Sequence, residues 1–106
     1  MARGGFGDMQ QMMRQAQRMQ QEIKRVQAEL EEREVDSSAG GGMVKAVVTC
    51  GKKIKAIEIN PAAVDPGDIE MLQDMIVAAI NEALARAEEI SQQEMAKVTG
   101  GLGGIL

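Results

Sequence analysis

Near the start of this chain, apolar residues recur in an unbroken alternation of three and four positions: Met9, Met12, Ala16, Met19, Ile23, Val26 and Leu30. That spacing is the a/d seam of a coiled-coil-like helix. A helix from about Asp8 to Arg33 is roughly 39 Å long, whereas a compact domain of about 100 residues has a radius of gyration near 13 Å. The helix is therefore expected to project from its own domain. Its apolar stripe needs cover from another helix or another subunit.

The 106 residues make one domain. Its apolar side chains are small or flexible, with nine Met, one Phe and neither Trp nor Tyr. Such a core buries little area per residue, and association of copies is the usual remedy in a small domain. The net charge of −4 is unevenly spread. Residues 1–28 carry Arg3, Arg14, Arg18, Lys24 and Arg25 against Asp8 and Glu22, a balance of +3. Residues 65–106 carry Arg86 and Lys97 against eight carboxylates, a balance of −6. An acidic average argues against nucleic-acid binding, but a phosphate backbone responds to the local field within roughly 8 Å at physiological salt. No apolar run reaches the roughly 18 residues of a membrane span. The start, MARGGFGDM, lacks the apolar core of a secretion signal. With the lone Cys50, which cannot build an internal disulfide framework, this sets the expectation of a cytoplasmic protein.

Residues 1–7 are Gly-rich and expected to be flexible, with Asp8 as a suitable N-cap for the first helix. At 100° per residue, the seam occupies one side of that helix. Arg14, Arg18 and Arg25 fall within about 40° of each other on the opposite side. From Glu34 the period changes to two. Glu34–Ser38 reads as a short strand and Ala39-Gly40-Gly41-Gly42 as a flexible connection. In Met43–Cys50, Val44, Ala46, Val48 and Cys50 share one face, and the β-branched residues favour a strand. Gly51-Lys52-Lys53 turns the chain back into Ile54–Ile59, which Asn60-Pro61 ends. Asp65 suits the N-cap and Pro66 the first position of a second helix. That helix carries Ile69, Leu72, Ile76, Ile80, Ala83, Ala87 and Ile90 on one face, a width suited to packing on a sheet. The stripe fades after Ile90, so the last turns are expected to run beyond the sheet until Thr99-Gly100-Gly101 stops the helix.

The expected fold is thus an α+β domain of order α-β-β-β-α: two layers, a three-stranded antiparallel sheet and long projecting helices. Flexible ends, 1–7 and 100–106, flank the domain at 8–99. A three-stranded sheet has two open edges, so a homodimer with joined sheets is expected. Met12, Met19, Ile23, Val26, Val44 and Val48 are the expected packing residues.

Catalytic chemistry has little support. The chain has no His. One Cys cannot fill a tetrahedral metal shell, so neither a metal nor another cofactor is expected. The glycine runs lack the Lys-Ser/Thr and following helix of a phosphate-binding loop. Carboxylates of the second helix read as a solvated face. The basic stripe is different, because Arg and its flanking Gln residues suit contacts to phosphates and base edges. A Met-rich seam could also serve as an adaptable protein-binding surface.

Four stretches in order carry a resemblance. They are Gly4-Gly5-Phe6-Gly7 with Met12, Gln15-Ala16-Gln17 and Met19-Gln20; Ala39-Gly40-Gly41-Gly42-Met43-Val44-Lys45; Ile57-Glu58-Ile59-Asn60-Pro61; and Leu72-Gln73-Asp74-Met75-Ile76-Val77-Ala78-Ala79-Ile80-Asn81-Glu82-Ala83. Over essentially its whole length the chain resembles the YbaB/EbfC family of bacterial nucleoid-associated proteins. The family commonly has Asp before Pro61, where this chain has Asn60. The resemblance implies a non-enzymatic homodimer with tweezer-like helical arms. It implies binding to double-stranded DNA with little sequence preference, in nucleoid organisation and gene regulation. It places DNA contact on the arms, hence on Arg14, Arg18, Lys24 and Arg25, with Arg3 and Lys97 as further candidates. The alternative is a protein-interaction module whose Met-rich arms clamp a partner helix. No small-molecule substrate and no membrane are expected in either reading.

Overall fold

The segment Val44–Thr49 alternates Val44, Ala46 and Val48 with Lys45, Val47 and Thr49, and the first three are wholly buried. A strand buried on one face throughout belongs at the centre of a sheet. The computed structural model, which describes the backbone of residues 2–103 and the side chains of residues 7–100, places it there. Helix α1 (Ala2–Glu32) leads into strands β1 (Glu34–Ala39), β2 (Val44–Thr49) and β3 (Ile54–Ile59); a 3-10 turn (Pro61–Ala63) and helix α2 (Ile69–Gly103) follow. The sheet is antiparallel in the order β1-β2-β3. The α-β-β-β-α order, the three-stranded sheet and the two long helices are those expected.

Helix α2 lies across β1 and β2 and leaves β3 beyond its edge. The stripe that meets the sheet is Ala79, Ala83 and Ala87, each with no accessible surface. Ala83 and Ala87 belong to the face expected from the sequence, and Ala79 joins them. Small side chains let the helix axis approach the sheet closely. The larger Leu72, Ile76 and Ile80 are then left half-buried beside the contact, and Ile69 is 46% exposed.

The β2–β3 ladder contains a bulge. Val47 pairs with Ala56, but Val48 pairs with Ile54, leaving Lys55 without an opposite residue. Residues directly opposite one another share a face. Ile54, Ile57 and Ile59 therefore stand opposite buried Val48, Ala46 and Val44, on the side that α2 covers elsewhere. Ile57 is half-buried against the core, but Ile54 and Ile59 remain 53% and 38% exposed. Val64 and Val77 are about as exposed as Ile54. The result is an uncovered apolar flank.

Helix α1 is antiparallel to the end of α2. Val98 lies beside Met19, and Met95 beside Leu30. Val26 and Leu30 are buried in the common core, and Met19 and Ile23 are half-buried. Further towards the N-terminus the cover runs out, and Met9, Met12 and Met13 are at least 60% exposed. The molecule extends 81 × 22 × 15 Å with a radius of gyration of 21.6 Å, so α1 does project as an arm.

Three helix ends differ from the sequence expectation. Helix α1 begins at Ala2 rather than Asp8, so Asp8 is interior and caps nothing. Once a helix is nucleated, each further residue adds a hydrogen bond at small cost, and no cap is needed at an internal Asp. Helix α2 begins at Ile69. Asp65 instead closes a turn in which Asp68 N donates to Asp65 O at 2.9 Å and Gly67 N donates to Asp65 Oδ1 at 2.9 Å. Asp68 is the cap, accepting from Met71 N at 3.2 Å. At the far end α2 continues through Gly100 and Gly101 to Gly103. Packing of Met95 and Val98 on α1 outweighs the roughly 1 kcal/mol that each glycine costs a helix.

Candidate nucleic-acid interface

A long helix projecting from a domain exposes its outer face along its length, so the arm's charge pattern decides what it can grip. Arg14, Arg18 and Lys24 are exposed and make no ion pair among the described residues. Lys24 stands about 80° round the helix from Arg14. Arg25 is engaged differently. Its guanidinium bonds to Glu22 and, at 2.7 Å, to Glu29. The hydrogen bond it donates to Glu22 leads the shift that raises its pKa above the ordinary arginine value, and the same bond lowers that of Glu22. Lys97 is held by Glu94 at 3.1 Å on the far helix. Arg3 lies outside the residues whose side chains are described.

The unneutralised part of the stripe is thus the outer arm, where the seam on the other side is also uncovered. The expected packing residues divide as well. Val26, Val44 and Val48 are buried within the chain, Met19 and Ile23 are half-buried, Met19 beside Val98 of α2, and Met12 is open.

The root of the arm is fixed to the sheet. Cys50 N donates to Arg33 O at 2.9 Å, and Arg33 Nη1 lies 3.6 Å from Glu94 Oε1. Gly51 packs so closely on the last turn of α1 that a Cβ there would stand 3.1 Å from Glu31 Cα. On the next residue, Lys52 adopts a left-handed φ of 67° and its Nζ reaches Glu88 Oε2 at 3.0 Å. Two cations outside the expected set come forward in this arrangement, Lys53 and Lys55. Both are exposed and without an ion pair among the described residues. The only sequence signal was the Lys-Lys-Ile-Lys cluster itself, which does not say which lysines are neutralised.

Among the described residues no helix is long and apolar enough to cross a membrane, and no group of three Cys, Asp or Glu is placed to hold a metal ion. An arm-bearing α-β-β-β-α protein with a basic outer helix face is the class that the fold and the site define. The YbaB/EbfC DNA-binding family matches residues 5–102, and the chain belongs to that family. It is 54% identical to a nucleoid-associated protein of Acetivibrio thermocellus over 99% of this chain and 96% of that protein. It is 52% identical to one of Thermoanaerobacter sp., over 96% and 95%. A nucleoid-associated protein of Saccharopolyspora erythraea is 50% identical, over 95% and 87%. Among solved structures, the uncharacterized protein HP0035 from Helicobacter pylori shares the fold. Its TM-score is 0.63 at 20% identity, covering 74% of this chain and 82% of that one.

Proposed function

We propose that this protein binds double-stranded DNA as a homodimer with little sequence preference, in the bacterial nucleoid, where it contributes to nucleoid organisation and gene regulation. The observation that carries the reading is the outer arm. Arg14 and Arg18 project from the domain with no carboxylate held against them among the described residues. The names of the relatives support the nucleoid setting.

The uncovered flank of Ile54, Ile59, Val64 and Val77 supports the dimer. A second copy placed against β3 would cover that flank and pair an open sheet edge. Two arms would then present two copies of the basic stripe. Binding is electrostatic in this mechanism: the arginines neutralise phosphates and release counterions, with Lys24 and Arg25 adding to the field and Arg3 and Lys97 further candidates. For two to four neutralised phosphates, log K falls with log salt at a slope of about −2 to −4. Fluorescence-anisotropy titration of a labelled duplex at several salt concentrations tests this. An affinity indifferent to salt would overturn it.

The exposure of Met9, Met12 and Met13 favours one other reading, a non-catalytic module that clamps a partner helix with its Met-rich arms. Polar substitutions at Met12 and Met19 separate the two. They would abolish capture of a partner helix, but leave DNA binding through arginine intact in a dimer that survives.

A further inference from the structure

The basic residues outside the arm are mostly neutralised in place. Arg33 and Lys97 share Glu94, Lys45 lies 3.3 Å from Asp36 and 3.5 Å from Glu58, and Lys52 lies 3.0 Å from Glu88. Arg86 donates to Asp36 O at 2.5 Å on the β1 edge. That carbonyl leaves the Arg86 charge unpaired, but at the β1 edge; among the described residues, Lys53 and Lys55 are the exposed cations without an ion pair at the β2–β3 connection.

Their position is set by the β2–β3 connection. Thr49 N donates to Lys53 O at 2.8 Å, and Lys53 N donates to Thr49 Oγ1 at 3.2 Å. The turn is held to the last turn of α1 through Cys50 and Gly51. Lys53 therefore stands beside the root of the arm. Lys55 follows at the bulge, the kind of irregularity that re-aims a side chain out of the ladder. From Arg14 or Arg18 to Glu31, which Gly51 touches, is 13 to 17 helical residues, or roughly 20 to 26 Å. That is about six to eight base pairs of duplex at roughly 3.4 Å each.

We propose that Lys53 and Lys55 form a second phosphate-contacting pair at the root of the arm, so that a duplex lying along Arg14 and Arg18 is also held where the arm joins the sheet. This rests on the DNA-binding reading. A lysine ammonium grips phosphate as a point charge without demanding a fixed geometry, which suits an interaction that carries no sequence information.

The test is the salt dependence of duplex binding by the full-length protein, comparing wild type with Lys53→Ala/Lys55→Ala. Lys45→Ala/Lys52→Ala serves as a control that removes the same charge from lysines already paired with carboxylates. The Lys53/Lys55 variant is expected to bind more weakly, with the slope of log K against log salt reduced by about 0.9 for each phosphate no longer neutralised. The control is expected to keep most of the wild-type slope. An unchanged slope in the Lys53/Lys55 variant would overturn this proposal alone, provided Arg14→Ala/Arg18→Ala still weakens binding. An equal loss in the control would also overturn it, by showing that only total charge matters. No salt-dependent binding by wild type would overturn the DNA-binding reading together with this one.

Discussion

Ile54 stands opposite Val48 across the β2–β3 ladder, one residue out of step with the pairing of Val47 and Ala56. Without that bulge, strict alternation would put Ile54 on the face opposite to Ile57 and Ile59. With it, all three isoleucines share the side that α2 covers over β1 and β2, and they extend the apolar surface past the helix edge.

That surface gives the first prediction. Ile54→Glu/Val77→Glu should convert the proposed dimer to a monomer in sedimentation equilibrium, with the circular dichroism of the fold retained. Both positions are more than half exposed in the single chain, and substitutions at such sites usually change stability by less than about 0.5 kcal/mol. A wild-type mass that stays monomeric at every concentration would sink the dimer itself.

The arm arginines should not be equivalent. Arg14→Ala/Arg18→Ala should remove most of the salt-dependent affinity for duplex DNA. Arg25→Ala should cost less, because its charge is already opposed by Glu22 and Glu29. Anisotropy titrations at two salt concentrations give the ranking, and a larger loss at Arg25 would reverse the assignment.

Gly51 tolerates no side chain without movement. A Cβ there would lie 2.9 Å from Glu31 Oε2 and 3.1 Å from Glu31 Cα. The carboxylate can swing away, but the backbone of α1 cannot. Gly51→Ala should lower stability by about 1–3 kcal/mol, the usual cost of overpacking, as read from urea unfolding. A neutral result would mean that the root of the arm yields easily.

Ala83 fills the contact between α2 and the sheet with no accessible surface. Ala83→Leu should cost about 1–3 kcal/mol by forcing the helix away from β2. If the thermal midpoint instead rises, the layer spacing is looser than the wholly buried alanine stripe indicates.

The acid response has a defined sign. Glu22, Glu88 and Glu94 are held below the ordinary value of 4.5, first by their hydrogen bonds to Arg25, Lys52 and Lys97 respectively. A carboxylate with a lowered folded pKa contributes stability above its unfolded value, and that contribution is lost as pH falls through the folded one. Thermal midpoints should therefore decline as pH falls below about 4.5, and less steeply in high salt because the pairs are exposed. Lys45, raised above 10.5 chiefly by its bond to Asp36, acts at the opposite end. Its contribution is present below 10.5 and lost as pH rises through the higher folded value. A decline already complete by about pH 6 would contradict this assignment, since the chain has no His to titrate there.

Periodicity by itself determined the elements. The three-four spacing from Met9 to Leu30 required a projecting helix, and the alternation of Val44, Ala46 and Val48 required a strand buried on one face. Asn60-Pro61 ended the sheet. Both signals are local, because helix and strand differ in how often a side chain returns to one face. Four ordered stretches also placed the chain in its family. The tertiary structure alone decided the rest, since each remaining question turned on partners distant in sequence. Packing on α1 carried α2 past Gly100, and a turn closed by Asp65 left the capping to Asp68. A bulge brought Ile54 to the apolar face. Charge followed the same rule: composition placed a +3 balance at the start of the chain, but carboxylates three, four or thirty-six residues away selected the cations that stay free. Arg25 and Lys52 are neutralised by Glu22, Glu29 and Glu88, while Arg14, Arg18, Lys53 and Lys55 have no such partner among the described residues.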